Sequence, residues 1–336
     1  MRAVGYQESL PIEAPDALVD IDLPEPLPLG RDLLVHVHAV SVNPVDTKVR
    51  LRAKPEAGGW KVLGYDAAGT VVATGADATR FKAGDEVFYA GDINRQGTNA
   101  EYHLVDERIV GRKPASLGWA QAAALPLTAI TAWEALFDRL DVHKPVPGSN
   151  TILIIGGAGG VASIAIQLAR HLTRLTVIAT ASRPETAAWV RDLGAHHVID
   201  HARPLAEQIA PLGTPGFVFS TTQTDRHIAE IVKLIGPQGR LCLIDDPAAL
   251  DILPFKRKSV SVHWEFMFAR STFQTEDMAA QSILLNEVSR LVDAGAVRTT
   301  LGENLGPITA ANLKRAHALV ESGRARGKVV LEGFPD

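Results

Sequence analysis

A chain of 336 residues is too long for one ordinary core and fits two domains. Apolar residues make up 46% and charged residues 21%, an ordinary globular balance, and a net charge of −4 offers no long-range attraction to nucleic acid or anionic lipid. The single cysteine, Cys242, excludes an intramolecular disulfide and a thiolate zinc cluster.

The opening Met1-Arg2-Ala3-Val4 leads into no apolar signal core, and no run approaches the ~18 apolar residues of a bilayer span. A cytoplasmic protein with neither membrane nor nucleic-acid partners is the expectation. The first 125 or so residues read as short β-runs separated by Gly, Pro and Asp turns: Leu33 to Val42, Gly69 to Gly75, and Asp85 to Ala90. Pro24, Pro26 and Pro28 keep the segment before them extended. This spacing predicts a compact β-barrel.

From about residue 126 the texture changes. Ala122 to Leu140 carries helix formers interrupted only by Pro126, and Thr151 to Ile155 is an apolar strand of the kind covered on both faces. A helix over Val161 to Leu172 follows, then strand Leu175 to Ala181, helix Ala187 to Leu193 and strand His197 to Asp200. Strand Gly216 to Ser220, helix Ile228 to Ile235 and strand Arg240 to Ile244 continue the alternation, which predicts a parallel sheet with helices on both faces. Two further helices, Thr275 to Ala294 and Ala310 to Ser322, precede a closing strand over Gly327 to Leu331. The predicted fold is α/β: a doubly wound parallel Rossmann sheet over 127–270 inserted into a β-barrel domain formed by 1–126 and 271–336.

Gly156-Gly157-Ala158-Gly159-Gly160-Val161 sits between a buried strand and a helix. In that context the glycines let the backbone approach a pyrophosphate, whose charge is met by N–H groups at the helix start. Gly157, Ala158, Gly159, Gly160 and Val161 are the expected cradle. At the end of the next strand an NAD site requires Asp or Glu for the adenosine ribose. This sequence has Thr180-Ala181-Ser182-Arg183-Pro184, where Arg183 can pair with a 2′-phosphate and Ser182 can donate to it. NADPH is therefore the expected cofactor.

Six segments in this order carry a resemblance: Ser41 to Asp46, Leu63 to Gly69, Phe81 to Val87, Leu125 to Ala129, Gly157 to Val161, and Gly327 to Val330. With them the chain resembles the medium-chain dehydrogenase/reductase superfamily, in particular its quinone oxidoreductase branch and the subgroup called zinc-type alcohol dehydrogenase-like. The resemblance implies a GroES-like substrate domain, Asn43 and Asp46 near the nicotinamide end, and Thr128 in contact with the cofactor at the domain junction. It also tips Lys328 toward a cofactor phosphate, against a plain edge-strand role. Zinc-dependent relatives place Cys near Asn43 and His-Glu where this chain has Tyr65-Asp66. Two of the three ligands that catalytic zinc needs are therefore missing, and no metal is expected. The eleven histidines, His196-His197 among them, read as scattered surface or core residues.

Without a metal to lower its pKa an alcohol is a poor substrate. A quinone or an α,β-unsaturated carbonyl accepts hydride at carbon and places charge on oxygen, where a donor can stabilise it. Asn43 and Tyr65 are the candidate donors with Asp46 beside them, although Asn43 before Pro44 also suits a turn and Tyr65 also suits a barrel wall. Asp66 reads as a structural acceptor and Cys242 as core. In similar proteins the β-prone segment Lys258 to Phe268 pairs with its twin, which implies a homodimer. Trp264, Phe266 and Phe268 are candidates for the substrate wall. Enoyl or enone reduction, and an NADPH-binding sensor without turnover, are the rival readings.

Overall fold

The computed structural model describes residues 1–335. The chain separates into two compact units, Met1–Ile130 with Phe268–Asp336, and Thr131–Met267. The sequence reading expected the divisions after residues 126 and 270.

The first unit is a barrel-like β-domain built around the long strand Asp32–Val42. Val35 and Val37 point into its core while His36 and His38 are half-buried on the other face, as the two-residue period of a strand requires, and a register shift between Val37 and Ala39 brings Val40 into the same core. One side of this strand pairs antiparallel with Lys328–Glu332, which in turn pairs parallel with Leu301–Asn304. Its other side pairs antiparallel with Ala67–Thr74, followed by Glu86–Tyr89 and Val110–Arg112. Tyr102–Asp106 pairs with residues 32–36 of the same strand. A smaller sheet orders Val19–Asp22, Arg2–Tyr6 and Lys61–Val62. Val4, Leu33, Val71, Val87 and Val105 meet in the core with Leu313 and Ala316 of the helix Ala310–Glu321.

The second unit is a six-stranded parallel sheet. Its order is His197–Ile199, Thr176–Thr180, Thr151–Ile155, Phe217–Ser220, Arg240–Leu243, Ser261–Trp264. Numbered along the chain this is 3-2-1-4-5-6, the doubly wound order in which dinucleotides bind where the strand order reverses. The Thr151–Ile155 strand lies at that reversal and is buried throughout. Leu153, Ile178, Val218, Leu241 and Ile231 form one core cluster.

Three helix expectations change in detail. The run from Ala122 to Leu140 breaks into Trp119–Ala123 and Pro126–Trp133, then a wider turn over Glu134–Arg139 in which Leu140 N–H reaches back five residues to Ala135 O at 2.9 Å. Pro126 has no N–H and starts a new helix there. The helix expected from Ile228 begins at Thr224, because the Asp245 carboxylate accepts the Thr224 N–H at 2.8 Å and caps it from a distant loop. The helix expected from Thr275 is regular only over Ala280–Asp293. No helix among the described residues is long and apolar enough to cross a membrane.

Candidate functional site

In the second unit the glycine segment joins the strand ending at Ile155 to the helix Gly160–Leu172. Gly156 takes φ +84°, and a Cβ on Gly157 would stand 2.8 Å from Thr180 O. The turn is pinned to the neighbouring strand by Gly157 N–H to Thr180 O at 3.0 Å and Gly156 N–H to Thr180 Oγ1 at 3.0 Å. Side chains are thus excluded at Gly156 and Gly157 from a turn that opens on a thirteen-residue helix, which suits it to a phosphate. Ala158 and Val161 lie in this same turn and first helical residues. A dinucleotide fits the cradle.

Ser182 and Arg183 follow the Thr176–Thr180 strand, and Arg183 immediately precedes the helix Pro184–Asp192. The structure adds a residue that the sequence reading passed over. Glu185 Oε1 lies 3.1 Å from Arg183 Nε, and both side chains are exposed. The expected absence of an acid thus holds for the strand end itself but not for the helix that follows it.

In the first unit, Asn43, Asp46, Tyr65, Asp66 and Lys328 come together. The Asp32–Val42 strand runs out at Asn43, and Pro44 begins the helix Pro44–Arg52 with its φ already set. Asp46, three residues on, accepts Asn43 N–H at 2.7 Å on one carboxylate oxygen and Gly64 N–H at 3.0 Å on the other. Gly64 has φ +111°, and a Cβ there would stand 2.9 Å from Asn99 N, so only glycine makes this turn. Asp46 thereby fixes the backbone just before Tyr65. Burial, with the nearby Asp66 charge adding to it, pushes the Asp46 carboxyl up to about 7 against the pull of Lys328 and its two N–H donors.

Asp66 is the acceptor at the centre. Its Oδ2 receives Ser41 Oγ–H at 2.8 Å, Asn43 Nδ2–H at 2.8 Å and Lys328 Nζ at 3.1 Å, while Oδ1 receives Leu127 N–H at 2.7 Å. Burial raises its pKa, and Lys328 and these donors oppose the rise. The Lys328 ammonium also bonds Val42 O at 3.1 Å and Asn43 Oδ1, so its three protons have three acceptors. It is 3% exposed. That leaves no donor for the cofactor phosphate considered for Lys328 in the sequence. The Asn43 carboxamide is likewise engaged on both its oxygen and its nitrogen. Thr128 is buried and donates to Leu125 O at 2.9 Å, within the turn that presents Leu127 to Asp66.

Tyr65 differs from its neighbours. Its hydroxyl is buried and has no hydrogen-bond partner, the only hydroxyl in that state among the described residues. Its ring meets Phe268 edge-on, with centroids 5.4 Å apart. Burial, then the charge of Asp46, raises its pKa, so it remains an O–H group at any physiological pH. Ser41 and Gly64 are participants that the sequence did not announce. Both lay in segments already singled out, but the positive φ of Gly64 had no local signature.

Both parts of the chain match known domain families. Residues 30–128 match the model of the alcohol dehydrogenase GroES-like domain, and residues 193–331 match that of a zinc-binding dehydrogenase. The chain is 39% identical to a zinc-type alcohol dehydrogenase-like protein of Staphylococcus aureus, over 98% of this chain and 99% of that one. A crystal structure of a putative zinc-dependent alcohol dehydrogenase protein from Rhizobium etli is 67% identical, covers 100% of this chain and 99% of its own, and superposes with TM-score 0.98. A 2-methylene-furan-3-one reductase of Solanum lycopersicum is 30% identical over 90% of this chain and 72% of its own length. The chain belongs to the medium-chain dehydrogenase/reductase family, in its zinc-type alcohol dehydrogenase-like group, and is an oxidoreductase with a nicotinamide-nucleotide domain.

The zinc in the family label does not fit these side chains. Asn43 and Tyr65 offer neither imidazole nor thiolate, and the Asp66 carboxylate is spent on four donors. Among the described residues no three of His, Cys, Asp and Glu converge on a metal position. Cys242 is buried in the parallel sheet of the other unit.

Proposed function

We propose that the protein is an NADPH-dependent reductase of conjugated carbonyl compounds, quinones and α,β-unsaturated ketones, that works without zinc. The observation carrying this reading is the unspent Tyr65 hydroxyl beside a saturated network. Leaving a buried hydroxyl without a partner costs about 1–3 kcal/mol, a cost reasonably kept only for a ligand that supplies an acceptor. The 2-methylene-furan-3-one reductase among the relatives, whose name denotes a conjugated ketone, supports the enone side of the class.

Gly157–Val161 would hold the phosphates of a reduced dinucleotide, whose nicotinamide would supply a hydride. The residues of this chain do the rest. Tyr65 O–H donates a hydrogen bond to the substrate oxygen as the electron pair of the conjugated system moves onto it. Solvent then supplies the proton that completes the addition of two hydrogens. Asp46 positions Tyr65 through Gly64, and Asn43, Asp66 and Lys328 hold the strand end and helix start that carry Asp46. Arg183 and Ser182 select the 2′-phosphate.

We also place a homodimer contact on the edge strand Ser261–Trp264. It has a sheet neighbour on one side only, and Trp264 and Phe266 beside it are about half exposed. The function is tested by following NADPH oxidation with chelator-dialysed protein and a panel of quinones, enones and saturated ketones. Turnover of the first two and not the third is expected. Oxidation of simple alcohols with none of the conjugated substrates reduced would end the proposal.

A further inference from the structure

We propose that His36 and His38 form a two-imidazole binding site for a late first-row divalent cation, with Cu2+ preferred, on the outer face of the barrel. The two histidines are two positions apart on the Asp32–Val42 strand and so share the face opposite Val35 and Val37. Their ring centroids lie 4.7 Å apart at an interplanar angle of 76°. Two imidazoles bound to one ion through nitrogens at about 2.0–2.1 Å, with a roughly 90–110° angle at the metal, hold their centres some 4.5–5.5 Å apart. The observed spacing falls in that range and near its right-angled end, which suits the tetragonal preference of Cu2+.

The surroundings hold the two rings in place. His38 Nε2 is 3.0 Å from Thr70 Oγ1, so one nitrogen of that ring already has a partner and the other remains for a metal. The pair is flanked by Tyr102, whose centroid is 5.2 Å from His36, and Trp119, 4.3 Å from His38. These rings limit the imidazoles to small movements. The nearby Lys113 ammonium is 3.1 Å from Glu86 and sits 5.0 Å from the Trp119 ring, so its charge is compensated. With two protein ligands the remaining positions belong to water. The site is separate from the Asn43–Asp66–Lys328 network and does not depend on the proposed reaction.

The test is titration of purified, metal-free protein with Cu2+, read by electron paramagnetic resonance and tryptophan fluorescence. One equivalent with a two-nitrogen imidazole signature is expected, together with quenching that is lost in Trp119→Phe. His36→Gln and His38→Gln should each weaken binding on the order of tenfold or more. A wild-type spectrum without two imidazole nitrogens, or an unchanged spectrum in both folded variants, would overturn the proposal. The wild-type spectrum alone decides it should either variant not fold.

Discussion

Lys328 Nζ stands 3.1 Å from Asp66 Oδ2, with the two side chains 4% and 0% exposed. The pair ties the strand Lys328–Glu332 to the residue just before the strand Ala67–Thr74. Removing one partner leaves a buried charge uncompensated, so Lys328→Met and Asp66→Asn should each destabilise the protein by about 3–5 kcal/mol. The double variant should lose less than the sum of the two. Urea unfolding of the four proteins measures the coupling, and simple additivity would contradict the described pair.

Tyr65→Phe separates function from stability. Its hydroxyl makes no bond, so its removal should leave the melting temperature unchanged or slightly higher. Turnover of conjugated carbonyls should fall on the order of ten- to a hundredfold, with little change in NADPH affinity. A variant that melts lower and retains full turnover would show the hydroxyl to be structural.

Buried histidines set the acid limb of stability. Burial lowers His317 from 6.5 to about 3 and His103 from 6.5 to about 4, and in each case a nearby arginine adds to the effect. The unfolded chain takes up these protons near pH 6.5 while the folded chain does not, so stability falls as pH drops from 6.5 toward those values. Asp46 has the opposite sign. Its folded pKa of about 7 exceeds its ordinary 3.8, so its contribution is full below pH 3.8 and is lost as pH rises toward 7. His317 has no partner on either ring nitrogen. His317→Leu should therefore reduce the loss of stability between pH 6.5 and 4 by on the order of 1–3 kcal/mol, measured by unfolding at several pH values.

The proposed preference for NADPH rests on Arg183 and its neighbour. Arg183→Ala should weaken NADPH binding roughly ten- to a hundredfold and leave NADH binding nearly unchanged. Glu185 competes with a 2′-phosphate for the same guanidinium. Glu185→Gln should therefore tighten NADPH binding a few-fold, most clearly at low salt. Calorimetric titration of both cofactors into the three proteins checks each statement.

The nucleotide unit was legible because its evidence is local. An apolar strand, a glycine turn and a helix follow one another within about twenty residues, and the strand–helix alternation repeats. The first-unit site was legible only as a set of names. Asn43 and Tyr65 stood out as donors in place of metal ligands, but their engagement depends on register. Val329 lies opposite Val42, which brings Lys328 to Asn43 across 285 residues of sequence and exhausts its protons. Nothing in either segment announces that pairing. The early start of the helix at Thr224 has the same origin, since its cap comes from Asp245. Glu185 was visible beside Arg183, yet its hold on that arginine became clear only from the structure.

The most direct test of the account uses NADPH deuterated at the transferring position with an enone substrate and protein stripped of zinc. Mass and NMR analysis should find deuterium on the carbon β to the carbonyl, at a rate that does not change when zinc is restored. Deuterium on the carbonyl carbon, or turnover that returns only in proportion to added zinc, would contradict it.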